Sequence, residues 1–506
     1  MIVACLHFRT AALAFLLVVA AGGIVACSGA AGTVSGTLPA MGDGHEGKPS
    51  TPISHVIVIV QENRSFDNFF ATFPNANGTT YGYAEPMPSP VAQLCAAKGQ
   101  PVIKTRTKVA LTEVTLTGKG FKNNFGWDND LAHNYKAGYL LECHSAASKP
   151  SLSSPCAMDG FDVTKFGPDG EGPQTTCTYT YQYVNPTDVK PYWEMAQQYV
   201  LADNAFQTQG SESFTAHQAL IAGGTAIDQY HSMIDDPTGF PWGCDAYTTS
   251  WVPVITTTGQ QQQGPFPCVN YPNGTIRDRL DAKGISWKYY ANKVYPWHKP
   301  KAGNSGIWSA FDAIKSVRYS SEWGTKVTST DLQIFSDIKN GKLPAVSWVT
   351  PDGANSDHPD EKNKNRPIDT GPAWVASLVN AVGQSKYWKS SAIVVLWDDW
   401  GGYYDHVPPP LYDNQGGLGF RFPLLIVSPY VKAHVEHAQY ETASVLKFVE
   451  GNWNLVTLGQ EDQRANSLAG AFDFSMSPRP FQKISSKYST QFFLRQKPSG
   501  VAPDSQ

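Results

Sequence analysis

Four apolar runs stand out against a polar background punctuated by glycine and proline: residues 55–60 (HVIVIV), 343–349 (LPAVSWV), 392–397 (AIVVLW) and 423–427 (PLLIV). Each is short, nearly continuous and rich in branched aliphatic side chains, the pattern of a strand buried on both faces. Helical periods lie between and after them. Val375, Leu378, Val379 and Val382 share one face of residues 372–382, and Val445, Leu446, Val449 and Trp453 share one face of residues 442–455. Pro372 suits the first turn of the earlier helix. Strands alternating with helices predict an α/β fold, a mostly parallel central sheet with helices on both faces. Ligands of such sheets sit beyond the carboxyl ends of the strands, so the polar residues directly after each run are the ones to inspect.

Residues 80–190 and 236–304 break this pattern. They are rich in Gly, Pro, Asn, Thr and aromatic residues, and they read as loop-rich insertions covering the site within a single domain of residues 51–500. The amino-terminal end is of another kind. His7 and Arg9 precede an apolar stretch, residues 11–26, interrupted by Gly22 and Gly23, which predicts a signal peptide over residues 1–26. Its end, Ile24-Val25-Ala26-Cys27-Ser28, resembles a lipobox that would make Cys27 the lipid-modified first mature residue; ordinary cleavage near the same point is the alternative. Either way the protein is expected to be exported, as a membrane-anchored lipoprotein of the cell envelope or as a secreted protein. Residues 27–50, rich in small residues, then read as a flexible tether.

Beyond Cys5 and Cys27 there remain Cys95, Cys143, Cys156, Cys177, Cys244 and Cys268, all within the two loop-rich segments. An even number in an oxidising compartment predicts up to three disulfides, in any of fifteen connectivities. No C-x-x-C or Cys/His spacing typical of zinc is present. Charge is nearly balanced, 39 Lys and Arg against 43 Asp and Glu, with no basic run, which argues against a nucleic-acid binder.

Two of the apolar runs end in acid-rich turns. Residues 55–60 lead into Gln61-Glu62-Asn63-Arg64-Ser65-Phe66-Asp67, and residues 392–397 lead into Asp398-Asp399-Trp400-Gly401-Gly402. Oxygen ligands at the ends of adjacent strands would make a compact site for a divalent cation. Such residues also serve commonly as helix caps and solvated turns.

The stretch Glu62-Asn63-Arg64-Ser65-Phe66-Asp67 resembles the signature of the phosphoesterase family that contains bacterial and plant phospholipases C and related bacterial acid phosphatases. Further pieces resemble it in the same order: Leu131-Ala132-His133, Met158-Asp159-Gly160-Phe161, Asp203-Asn204, Ser213-Phe214-Thr215-Ala216-His217, Asp357-His358-Pro359, Asp398-Asp399 through His406-Val407, and residues 440–450. One such motif is weak evidence, whereas several in register are strong.

The resemblance implies an alkaline-phosphatase-like sandwich and a metal-dependent hydrolase of phosphoric esters. By position, Glu62, Asn63, Asp398, Asp399 and Ser213 would ligate the metal. Ser213 would be the nucleophile of a phosphoserine mechanism, at the start of a helix whose amides face the anion. His133, His358 and His406 would line the phosphate pocket, any of them a candidate general acid; His217 adjoins the nucleophile and would contact substrate. Oxygen ligation suits Ca²⁺, Mg²⁺ or Mn²⁺, and Zn²⁺ or iron if a histidine also binds.

The chain departs from the family pattern in two places. It has Asp398-Asp399-Trp400-Gly401-Gly402 where these phospholipases tend to read Asp-Glu-His-Gly-Gly, and its nucleophile segment lacks the usual Pro-Asn pair. These changes leave substrate choice open between phospholipase C-like cleavage of a diester or phospholipid and acid-phosphatase-type cleavage of a monoester. The chain ends soon after the catalytic region and is expected to lack the carboxyl-terminal β-modules of larger relatives, which makes the monoesterase a serious alternative, whereas a lipid tether holding it near lipid headgroups pulls toward the phospholipase. The rival of another class is a catalytically inactive surface lipoprotein binding phosphate or sugar.

Overall fold

The computed structural model describes residues 47–116, 130–143, 156–167, 169–172, 175–239, 242–294, 307–359, 369–412 and 417–503. The signal peptide of residues 1–26, the lipidation candidate Cys27 and most of the tether lie outside the described residues. No helix among the described residues is long and apolar enough to cross a membrane.

All four apolar runs become strands of one sheet. Its eight strands, numbered in chain order, are β1 His55–Gln61, β2 Val200–Ala202, β3 Trp287–Tyr290, β4 Val327–Thr328, β5 Val346–Val349, β6 Ser391–Trp397, β7 Leu424–Val427 and β8 His434–Glu436. They lie in the order β4-β3-β5-β1-β6-β7-β2-β8. Every pairing from β4 to β6 is parallel, while β7 runs antiparallel to both β6 and β2. The centre is apolar on both faces: residues 56–60 of β1 and 392–397 of β6 have no exposed surface. Fully burying each such aliphatic side chain stabilises the fold by about 1.5–3 kcal/mol.

Five helices matter below: α1 Phe66–Phe70, α2 Lys190–Gln198, α3 Ser213–Ala222, α4 Thr370–Gly383 and α5 Ser444–Trp453. Helices α2 and α4 pack together and against the sheet, and α3 packs on α5. The predicted apolar stripes of α4 and α5 are all buried.

The loop-rich segments differ from expectation in one respect. The second one is not all cover, because its residues 287–290 (WKYY) form β3 inside the central sheet. The first builds a second apolar cluster, in which Leu131, Tyr139, Phe161 and Tyr181 pack on Trp400, Tyr404 and Phe420. The six cysteines pair as Cys95–Cys177, Cys143–Cys156 and Cys244–Cys268.

Candidate active site

Register brings the first carboxylates together. Gln61, the last residue of β1, faces Trp397, the last of the parallel strand β6. Glu62 and Asp398 therefore leave the sheet side by side, and the Asp398 amide donates to the Gln61 carbonyl at 2.9 Å. The chain then turns sharply at Asn63, which has φ +57°, a left-handed backbone that asparagine adopts more readily than most residues. Its amide donates to Asp398 Oδ1 at 3.0 Å, and the Asp399 amide donates to the same oxygen at 2.8 Å.

The glycines after Asp399 are sterically required. Gly401 has φ +59°, and a Cβ there would fall 2.4 Å from the Asn63 carbonyl oxygen; at Gly402, with φ +70°, it would fall 2.5 Å from Leu131 Cβ. Only residues without a side chain let the two strand-end loops approach this closely.

The remaining residues of the first motif hold the loop in place. Arg64 donates from Nε and Nη2 to the Asp357 carbonyl at 2.9 and 2.7 Å, which ties down the loop carrying His358. Ser65 caps α1 by accepting the Asn68 amide, and donates its hydroxyl to the Tyr404 carbonyl. Phe66 is core.

Ser213 is the first residue of α3, with Glu212 in the cap position. Its hydroxyl does not cap the helix; it donates to Asp399 Oδ2 at 3.0 Å, while Asp399 Oδ1 takes the Gly401 amide. A reciprocal clip positions this turn. Ser211 Oγ donates to Asp235 Oδ1 and accepts from the Asp235 amide, the Asp236 amide donates to Glu212 Oε2, and the Phe214 amide donates to Asp236 Oδ1. Burial, with the charges of Asp236, Asp169 and Asp235 adding to it, raises the Glu212 carboxyl well above the usual range.

One turn along α3 from Ser213, on the same face, His217 completes the cluster. Its Nε2 lies 3.6 Å from Glu62 Oε1 and 3.8 Å from Asp398 Oδ2. Glu62, His217 and Asp398 thus offer ligand atoms within 4.8 Å of one another. Asn63 Oδ1 and Asp398 Oδ2 are buried and take no hydrogen bond among the described residues. Buried oxygens of this kind are normally satisfied. Carboxylates, an amide oxygen and an imidazole together fit a divalent cation.

The predicted histidines divide. His133 Nε2 lies 3.2 Å from Asn63 Nδ2 and its Nδ1 lies 2.6 Å from the Leu131 carbonyl. The ring therefore donates from Nδ1 and accepts at Nε2, which turns the amide nitrogen of Asn63 toward the histidine and its oxygen away. Asp130 lies 3.9 Å from His133 Nδ1 and 3.8 Å from His358 Nε2, linking the two rings. His406 belongs to a second network. Its Nδ1 bonds Asp67 Oδ2 at 2.7 Å and its Nε2 lies 3.1 Å from Asn77 Oδ1, with Arg421 and Asp405 adjoining. Burial alone would lower the His406 pKa, but the Asp67 hydrogen bond and the charges of Asp67 and Asp405 outweigh it and raise it.

Sequence reasoning left His217 as a substrate contact, although its spacing of four from Ser213 on a helix was a usable signal. The clip residues Asp235 and Asp236 carried no signal of their own.

A family model described as the phosphoesterase family matches residues 53–456. Phospholipase C B of Mycobacterium tuberculosis is 25% identical over 468 residues, covering 85% of this chain and 79% of the relative. Non-hemolytic phospholipase C of Burkholderia pseudomallei is 23% identical over 449 residues, covering 79% of this chain and 55% of the relative. A solved protein in the alkaline phosphatase superfamily from Vibrio parahaemolyticus is similar at TM-score 0.31 and 12% identity, covering 56% of this chain and 65% of that one, an overlap too loose to argue from. The matched family region takes in both strand ends, the Ser213 helix and every histidine of the cluster: the chain belongs to the phosphoesterase family and is a hydrolase acting on phosphoric esters.

Proposed function

We propose that the protein cleaves phosphoric diesters in the manner of phospholipase C, through a phosphoserine formed on Ser213, and that it does so outside the cytoplasm. The observation that carries the reading is the 3.0 Å hydrogen bond from Ser213 Oγ to Asp399 Oδ2, beside the buried Glu62, Asn63 and Asp398. A divalent cation held by Glu62, Asn63, Asp398 and Asp399 would supply positive charge that stabilises the serine alkoxide and the phosphoryl oxygens.

The chain's own residues account for the rest. Ser213 Oγ gives its proton to Asp399 Oδ2, which already accepts its hydrogen bond, and attacks phosphorus; the new Oγ–P bond forms and the P–O bond to the leaving alcohol breaks. Asp399 orients the hydroxyl. His133 orients Asn63 through its accepting Nε2. Proton donation to the leaving oxygen we assign to His358, whose Nε2 lies 3.8 Å from Asp130 Oδ2. Water then cleaves the Oγ–P bond, releasing the phosphomonoester and restoring the serine. The position of His406 among Asp67, Asn77 and Arg421 supports a structural role for it.

An aromatic wall supports an ester with an organic group beside phosphorus. Phe214 stands 6.0 Å from Trp242, Trp242 stands 5.5 Å from Trp308, and Trp308 stands 4.1 Å from His217, all as ring centroids. The names of the relatives support a phospholipid as the diester. Three disulfides support export to an oxidising compartment. The lipid anchor at Cys27 rests on the amino-terminal sequence alone.

The test compares p-nitrophenyl phosphate, bis(p-nitrophenyl) phosphate and phosphatidylcholine with one preparation. The diesters should be cleaved, and Ser213→Ala should lower the rate by at least about a thousandfold, as removal of a covalent nucleophile does. Cleavage of the monoester alone would transfer the reading to an acid phosphatase. Unchanged turnover in Ser213→Ala or after chelation would end it, and no turnover of any ester would leave a phosphate-binding protein.

A further inference from the structure

The geometry points to His217 as a nitrogen ligand of the metal, which makes this a site for a borderline first-row cation such as Zn²⁺ or iron rather than for Ca²⁺ or Mg²⁺. The inference rests on the phosphoesterase reading above and deepens it by naming the class of metal.

Three observations carry it. First, the separations from Nε2 to Glu62 Oε1 and Asp398 Oδ2, 3.6 and 3.8 Å, are too long for hydrogen bonds. Ligands bound to one ion at about 2.0–2.2 Å stand roughly 3–4 Å apart, which is the spacing found. An imidazolium paired directly with either carboxylate would have closed to a shorter contact.

Second, Asp398 has no lysine or arginine partner among the described residues, and its Oδ2 takes no hydrogen bond there. The other carboxylate–histidine group, Asp67, Asp405 and His406, makes the contrast. There Arg421 grips Asp405 at 2.8 and 3.0 Å and supplies the cation from within the chain.

Third, the ring is held from behind. Its Nδ1 lies 3.5 Å from the Tyr289 hydroxyl, which lies 3.2 Å from Thr350 Oγ1, and Trp308 packs edge-on at 4.1 Å. A fixed ring presenting Nε2 to two carboxylates, with a polar group at its other nitrogen, is how proteins set a metal-binding histidine. One imidazole among oxygen donors shifts preference along the first-row series and away from the hard cations.

The test uses metal binding, not turnover. Protein stripped with chelator and reloaded with Mn²⁺ should show ¹⁴N coupling in electron spin-echo modulation, lost in His217→Gln. By calorimetry the wild type should bind Zn²⁺ at least about tenfold more tightly than Mg²⁺ or Ca²⁺, and His217→Gln should lose about tenfold or more for Zn²⁺ with less than about threefold change for Mg²⁺. Bound Mn²⁺ without nitrogen coupling in the wild type, a measurement that needs no variant, would overturn the assignment of His217 while leaving Ser213-dependent hydrolysis intact. Absence of any divalent binding by the wild type would overturn both.

Discussion

Arg421 is the residue whose replacement should cost the fold most for its size. It is fully buried with Asp67 and Asp405, all three without exposed surface. Its Nε and Nη2 hold the Asp405 carboxylate at 2.8 and 3.0 Å, Nη2 lies 3.5 Å from Asp67 Oδ1, and Nη1 donates to the Asn77 and Asp203 carbonyls at 2.9 and 2.6 Å. Arg421→Met fills the side-chain volume but leaves two buried carboxylates with His406 as their remaining counter-charge among the described residues and strands two carbonyls. Breaking a buried pair from one side costs about 3–5 kcal/mol, against a total stability of about 5–15 kcal/mol for a typical domain. Urea titration at pH 7 measures the loss. Adding Asp405→Asn removes one stranded charge, so the double variant should be more stable than the sum of the single losses, by about 0.5–3 kcal/mol. Acid should also help the single variant. Burial and the charge of Asp405 raise the Asp67 pKa, and losing the Arg421 charge that lowers it raises it further above its unfolded value, so the destabilisation is greatest at high pH and fades as pH falls and Asp67 protonates. A loss below about 1 kcal/mol, strict additivity, or a deficit equal at pH 7 and pH 5 would each refute the claim that this guanidinium holds the two loops together.

Gly401→Ala should lose about 2 kcal/mol or more, from the left-handed backbone and the clash with the Asn63 carbonyl, and should lower ester hydrolysis as well; wild-type denaturation and turnover would show the turn to be slack. Asp357, a buried acceptor of the Tyr192 hydroxyl and the Trp397 indole, is pushed up to about 6 by burial, against the hydrogen bond from Tyr192, the charge of Arg64 and the hydrogen bond from Trp397. The folded chain therefore keeps a proton that the unfolded chain has lost between about pH 4 and pH 6, and stability falls as pH rises through that window, by up to about 3 kcal/mol. Asp357→Asn should flatten this slope in denaturation midpoints taken across the window, and parallel profiles would rule it out. Replacing Cys95 and Cys177, 82 positions apart, by serine should cost about 4.5 kcal/mol by the chain-entropy rule and sensitise the second apolar cluster to proteolysis; an unchanged digestion pattern and midpoint would contradict that.

The parts of the fold that were legible are those where burial acts on both faces of a strand. The runs at 55–60, 343–349, 392–397 and 423–427 could be read as strands because a continuous branched-aliphatic run has few other stable fates in a soluble chain. The same feature hid the direction of β7, since a run apolar on both faces looks alike whether its neighbours are parallel or antiparallel to it. Strands β2, β4 and β8 have three, two and three residues, too few to show a period. Strand β3, WKYY, was lost in an aromatic-rich segment because aromatic residues mark surfaces and loops there as often as sheet. Disulfide pairing is a property of the folded path and had no local sign.

The site was legible to the extent that it follows from register. Once β1 and β6 are parallel neighbours ending at Gln61 and Trp397, Glu62 and Asp398 have no other place to go. What register does not determine is how carboxylates survive together: Glu62, Asp398 and Asp399 all lack exposed surface, and at a given separation like charges repel more strongly as the local dielectric falls. Backbone amides aimed at them offset part of this, with two on Asp398 Oδ1 and one on Asp399 Oδ1. Those amides are available only because Asn63, Gly401 and Gly402 adopt left-handed turns. Backbone strain, buried acids and a serine hydroxyl aimed at one of them are thus parts of one arrangement, in which removing the glycines would undo the electrostatics before it touched the chemistry.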